Sequence, residues 1–285
     1  DRPCWCAASE QKCGGCEQYK LFQVRPPSDL DQSKLAAESG LICFGNSSLR
    51  LSVLESMNLS GKRFLVIGGS GVLGGEIVKE LRSQGAVVLA TATSNDSASK
   101  IPAVAEVRLL LDYQNPASVT TLTEYLVGST TLDGIVNASG VVAFGPAAEL
   151  SQETIQKLAS INFAGPTQLL SQLHSMLKAS AEAGNEPVVV NITGVVAEQP
   201  LPNLAAYSAS KTAIAGFLEA LKREWRRDGI RVLSANPGHT ETGLADRAIQ
   251  GSAPAFPQGM TAEHVAKRIV MAIANDEKEL PSQAF

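Results

Sequence analysis

The sequence predicts an α/β fold: a Rossmann-like, doubly wound parallel sheet in a single domain over residues 57–285, with a poorly ordered N-terminal extension over residues 1–56. Three features predict it. Short, uninterrupted apolar runs recur from Lys62 onward, amphipathic helical stretches separate them, and a glycine-rich turn closes the first run. Runs that are apolar at every position suit strands buried on both faces. Their alternation with helices implies parallel pairing, with ligands bound at the carboxyl ends of the strands.

The elements follow in order. The strands are "KRFLVI", "AVVLAT", "VRLLL", "DGIVN", "PVVVNI" and "IRVLSA", and the helical stretches cover roughly 72–84, 115–128, 151–180 and 204–228. The first strand runs into "VIGGSGVLGGEI", where Gly68, Gly71 and Gly74 form G-x-x-G-x-x-G with Ser70 among them. Glycines at a strand-to-helix turn let backbone N–H groups approach a pyrophosphate at the helix N-terminus, so these four residues are candidate cofactor ligands. The second strand ends in "VVLATATSND". An acidic residue at that tip would bind both ribose hydroxyls of NAD; Thr91 stands there instead, which favours NADP while leaving NAD possible. Asp112, closing "LLLD", is a candidate for the adenine side or simply a loop-start acid.

Charge and composition exclude several classes. A net charge of −4 without lysine or arginine runs argues against nucleic acid or an anionic membrane surface as partner. No apolar run approaches the ~18 residues of a membrane span, and no basic-then-apolar leader opens the chain, so a cytoplasmic setting is expected. Cys4, Cys6, Cys13 and Cys16 crowd the first sixteen residues and Cys43 follows. Their C-x-C-x6-C-x2-C spacing is short for a zinc ribbon. A disordered or non-native tail, a disulfide segment and a zinc module all stay open, and no metal is expected in the main domain.

Further motifs follow in a fixed order. "NASG" at Asn137–Gly140 ends the fourth strand, "INFAG" carries Asn162 within a long helix, and Tyr207-Ser208-Ala209-Ser210-Lys211 and "NPGHTET" at Asn236–Thr242 come later. In these residues the chain resembles the short-chain dehydrogenase/reductase family over essentially all of 57–285. The resemblance implies an NAD(P)-dependent oxidoreductase interconverting a ketone and a secondary alcohol. It implies Tyr207 as proton donor, Lys211 as its ammonium partner and ribose ligand, and Asn162 as the residue placing a relay water. It also implies that Asn137 braces the sheet beside the cofactor, and that Pro237, Gly238 and Thr242 hold the nicotinamide end. Residues four apart share a helix face, and an ammonium beside a phenol lowers its pKa toward the working range.

The chain departs from the family pattern twice. Gly71 comes one residue before the position where the family most often has its second glycine, which is Val72 here. Gly194 occupies the place of the serine that polarises the carbonyl. Thr193 is the candidate substitute, provided the backbone twists there; Ser139 is a weaker one, and for His239 both a substrate-facing and a solvated position stay open. A non-catalytic NADP-binding sensor or scaffold is the alternative reading.

The loops around Phe144, Leu201, Ile249 and Phe256 are apolar and no arginine cluster accompanies them, so the expected substrate is an uncharged apolar ketone or alcohol. Ala205, Ala209, Ala213, Gly216 and Ala220 form a small-residue row at helical spacing, which suits a homodimer or homotetramer interface.

Overall fold

In the computed structural model, residues 57–285 are described; the cysteine-bearing segment and the readings attached to it lie outside the described residues. All six expected strands form. β1 (Arg63–Ile67), β2 (Val87–Ala92), β3 (Val107–Leu110), β4 (Gly134–Asn137), β5 (Val188–Ile192) and β6 (Arg231–Ala235) make one parallel sheet in the order β3-β2-β1-β4-β5-β6. The order reverses between β1 and β4, and ligands of such sheets bind in the crevice this reversal opens. Four strands are buried along nearly their whole length, but β3 alternates half-buried and exposed residues. As an edge strand it turns Arg108 and Leu110 outward.

α1 (Val72–Ser83), α2 (Asn95–Ala98), α3 (Pro116–Ser129) and α4 (Gln152–Ala159) follow the chain in turn. The helix expected over 151–180 is not continuous. α4 passes through a π-turn at Ser160–Ala164 before α5 (Gly165–Glu182) begins. Pro166 stands four residues after Asn162 and has no N–H, so the α-helical bond to the Asn162 carbonyl cannot form. α6 (Ala205–Trp225) is as expected, whereas α7 (Ala262–Ala274) went unforeseen.

Two apolar layers flank the sheet. On one side Ile77, Val78 and Leu81 of α1 pack with Val265, Ile269, Val270 and Ile273 of α7. On the other, Leu169, Leu173 and Leu177 of α5 pack with Ile214 and Leu218 of α6. Arg231 of β6 donates to the carbonyls of Ala272, Ile273 and Glu277, satisfying the C-terminus of α7 with a cation where the helix dipole favours one. Beyond α7 the sheet gains only a single parallel bridge, between Ala235 and Leu280. A small parallel pair, β7 (Thr240–Glu241) and β8 (Met260–Thr261), closes the base of the loop after β6.

Candidate active site

A cleft of about 1060 Å³ opens at the carboxyl ends of the strands and is lined by the glycine turn, the ends of β2, β4 and β5, Tyr207, Lys211 and the loop after β6. That volume suits a large ligand and a smaller one together.

The glycine turn is closed by necessity. Gly68 has φ +76°, and a Cβ there would lie 3.0 Å from the Ser139 nitrogen; a Cβ on Gly74 would lie 2.1 Å from the Gly68 carbonyl oxygen. Gly71 differs. It caps α1 with an ordinary φ of −78°, and a Cβ would sit 3.3 Å from the same oxygen. Gly68 and Gly74 therefore bring the backbone together, and the early position of Gly71 leaves the turn intact. The first-turn N–H groups of α1 face this turn without intrahelical acceptors, as an anion requires.

Thr91 is not at the tip of β2. It is 2 % exposed, and its hydroxyl accepts the Gly68 N–H at 3.1 Å, bracing the turn from beneath. β2 runs on to Ala92, so the exposed hydroxyls are those of Thr93 and Ser94. Asp112 is half-buried and accepts the Gln114 N–H in a loop turn. Pro237, Gly238 and Thr242 line the far end of the cleft.

Asn162 is buried in the π-turn and pairs with the Val141 backbone as a strand would, accepting its N–H at 3.0 Å and donating to its carbonyl at 2.9 Å. A second donation reaches Ser210 Oγ on α6. Asn162 thus ties the loop after β4 to the helix carrying Tyr207 and Lys211. Lys211 is 5 % exposed, donates to the Ile192 carbonyl at 2.9 Å, and lies 5.9 Å from the Tyr207 ring centre. Burial sets both acidities. It pushes the Tyr207 phenol up to about 12 and the Lys211 ammonium down to about 8. The lowering of the phenol expected from the ammonium is not seen; desolvation alone sets the direction.

At the missing serine the geometry is specific. Thr193 and Gly194 both donate their N–H to the Ala235 carbonyl, at 2.8 and 3.2 Å, and Val195 donates to Pro237 at 3.0 Å. Two consecutive N–H groups converge on one oxygen, and Gly194 then takes φ +87°, ψ 157°, a region that side chains resist, as the chain passes on to the Pro237 carbonyl. Space is not the obstacle, since a Cβ would meet nothing nearer than 3.7 Å. Thr193 borders the cleft, but its hydroxyl is engaged among the strand ends. It is 1 % exposed, with its hydroxyl 2.7 Å from Ser234 Oγ and within 3.4 Å of Asn191. Ser139 is likewise engaged, donating to Asn137 at 2.7 Å. Asn137 bridges β4 to β5 by donating to Asn191 Oδ1 at 2.6 Å.

Gly194→Ser is accordingly expected to cost about 1–3 kcal/mol from the backbone alone, lowering Tm by about 2–4 °C per kcal/mol in a domain of this size. Turnover should fall with it. A rate increase at unchanged Tm would show that the turn accepts a side chain.

Phe144, Leu201 and Phe256 line the cleft; Ile249 instead pairs its N–H with the Val142 carbonyl. His239 stacks on Phe256 with ring centres 4.8 Å apart, and Phe256 meets Phe144 at 6.1 Å, forming an aromatic row across the mouth. His239 Nε2 lies 3.4 Å from Glu241.

The family model for short chain dehydrogenases matches residues 62–252. The chain belongs to the short-chain dehydrogenase/reductase family. Among its relatives is the uncharacterized oxidoreductase YbbO of Escherichia coli, 30% identical over 191 residues, which are 66% of this chain and 70% of the relative. The fold is shared with a 3-ketoacyl-(acyl-carrier-protein) reductase from Brucella melitensis solved with NADH (TM-score 0.70, 22% identity, 78% of this chain and 97% of that one). It is shared also with a short chain dehydrogenase from Burkholderia cenocepacia solved with NADP (TM-score 0.68, 22% identity, 80% and 91%). Among the described residues of this short-chain dehydrogenase/reductase, no helix is long and apolar enough to cross a membrane, and no group of three or more metal-ligating side chains occurs.

Proposed function

We propose that the chain reduces an uncharged, apolar ketone to a secondary alcohol with NADP(H), and accepts NADH less well. The observation that carries this reading is the pairing of a protonated phenol with a buried ammonium at one wall of the cleft. With its pKa pushed up to about 12, Tyr207 holds its proton at neutral pH and is a donor, the form that ketone reduction needs. Gly68, Ser70, Gly71 and Gly74 would hold the pyrophosphate, Lys211 the nicotinamide ribose, and Pro237, Gly238 and Thr242 the carboxamide end. When bound, the reduced nicotinamide supplies the hydride that goes to the carbonyl carbon. Tyr207 Oη–H gives its proton to the carbonyl oxygen. Lys211, seated on the Ile192 carbonyl, stabilises the phenolate left behind, and Asn162 keeps the loop after β4 in register with both. Phe144, Leu201 and Phe256 exclude water from an apolar substrate.

Thr93 and Ser94 replace Thr91 as the hydroxyls nearest a 2′-phosphate. Lys211 and Arg247 are the only lysine and arginine that line the cleft among the described residues, so no cation accompanies these hydroxyls. The preference for NADP(H) is therefore modest. A small-residue face of α6, with Ala205, Ala209, Ala213, Gly216 and Ala220 all exposed, supports a homodimer or homotetramer. The second reading, a binder without turnover, draws on the closed turn at Gly194.

One experiment separates the two readings. NADPH and NADH are titrated by fluorescence, and NADPH oxidation is then followed with a panel of apolar ketones. Binding with turnover is the expected result. Binding with no turnover on any ketone assigns the chain to the second reading, and tighter binding of NADH would reverse the cofactor preference.

A further inference from the structure

The polar side chains at the ends of β4, β5 and β6 join in one row: Ser139, Asn137, Asn191, Thr193, Ser234, Asn236 and Glu198. Its direction follows from its last member. A carboxylate only accepts, so Asn236 must turn its Nδ2 to Glu198 Oε1, at 2.6 Å, and its Oδ1 to Ser234, at 2.8 Å. Ser234 spends its proton on Asn236 and can only accept from Thr193, 2.7 Å away. The Thr193 lone pairs then receive the Asn191 amide, Asn191 Oδ1 receives Asn137, and Asn137 Oδ1 receives Ser139. Six donations run the same way and end on one negative charge. Donors aligned head to tail polarise one another, so the row is worth more than its separate links.

Glu198 stands just past the short helical turn at Val195–Ala197 and is itself held from outside. Ser282 donates to it through its hydroxyl at 2.6 Å and its N–H at 3.2 Å. Desolvation alone would raise the carboxyl's pKa. The hydrogen bonds from Ser282 and Asn236 outweigh it and hold Glu198 below its ordinary value of 4.5. The row passes through Thr193, the residue between Ile192, whose carbonyl seats Lys211, and Gly194. Two residues past Gly194 comes Val196, which packs in one apolar cluster with Tyr207.

We propose that Glu198, outside the cleft's reacting groups, is a positioning residue. Its carboxylate orients the row and thereby fixes the 192–195 turn against which Lys211 and Tyr207 are set. This rests on the reductase reading for its kinetic consequence, and on geometry alone for the coupling.

The test uses the full chain and the ketone with the highest turnover in the panel. Glu198→Ala should lower kcat about tenfold, within the coupling range of contacting residues, with little change in the ketone KM. Glu198→Gln, which keeps an acceptor for Asn236, should restore most of the loss. On a Thr193→Val background, which has already cut the row, Glu198→Ala should add little. Amide exchange of the segment 188–199 in the NADPH-bound protein should quicken in Glu198→Ala, while that of β1 stays unchanged. Losses that multiply in the double variant, or unchanged exchange in 188–199, would overturn the proposal. Should Glu198→Ala fail to fold, Asn236→Ala cuts the same row and is read the same way. If no ketone is turned over, the reductase reading fails, and the exchange result still decides the coupling.

Discussion

Tyr207→Phe is expected to lower ketone reduction by about 10²–10⁴-fold, the usual contribution of a positioned acid, while NADPH affinity stays close to that of the parent. The ring's packing is kept and only the transferable proton is lost. The pH profile of the parent enzyme supplies a second check. Lys211 is held near 8 by burial, so its ammonium is present below that pH and lost above it. Reductive turnover should therefore decline as pH rises through about 8. Tyr207 remains protonated throughout this range and contributes nothing to the decline. Stability moves the other way. Unfolded Lys211 keeps its proton to about 10.5, so between about 8 and 10.5 the unfolded chain binds more protons, and this residue's penalty on folding shrinks as pH rises. Unimpaired turnover in Tyr207→Phe would remove the phenol from the mechanism.

Gly74→Ala should abolish NADPH binding in a fluorescence titration and destabilise the fold by at least the ~1–3 kcal/mol of an overpacked site. The added carbon would lie 2.1 Å from the Gly68 oxygen and 2.7 Å from its carbonyl carbon, both backbone atoms that move only if the turn opens. Gly71→Ala is the matched control. Its φ is ordinary and its nearest contact is 3.3 Å, so binding should weaken only modestly. Equal effects from the two would mean that the cofactor does not rest on this turn.

The six strands were legible because a strand buried on both faces must be apolar at every position, and "FLVI" or "VVVNI" has few other uses. Tyr207, Lys211 and Asn162 were legible as a motif; Tyr207 and Lys211 line the cleft, and the buried Asn162 is tied through Ser210 to the helix that carries them. Other features were hidden for identifiable reasons. Thr91 sits on a strand that runs one residue beyond its apolar run, to Ala92, and so its hydroxyl points under the glycine turn and not outward. Thr193 could not be placed, because the direction of its hydroxyl depends on Ser234 of the neighbouring strand, forty-one residues later. Glu198 drew no notice because its partners, Asn236 and Ser282, belong to distant segments. The break near Asn162 had a readable sign in Pro166, and α7 had one in the spacing of Val265, Ile269 and Ile273.

The pairing of α1 with α7 has a consequence for how the chain is made. α1 is the first helix of the described domain to leave the ribosome, and the apolar face formed by Ile77, Val78 and Leu81 is covered by Val265, Ile269 and Ile273 of the last α-helix. Until residues 262–274 emerge, that face has only β1 and β2 to pack against, and the part that α7 covers is open to self-association. A chain released before Ala274 would keep every residue of the candidate active site and still carry an uncovered apolar stripe. The covering of the first helix thus waits on the completion of a last one that touches none of the site's chemistry.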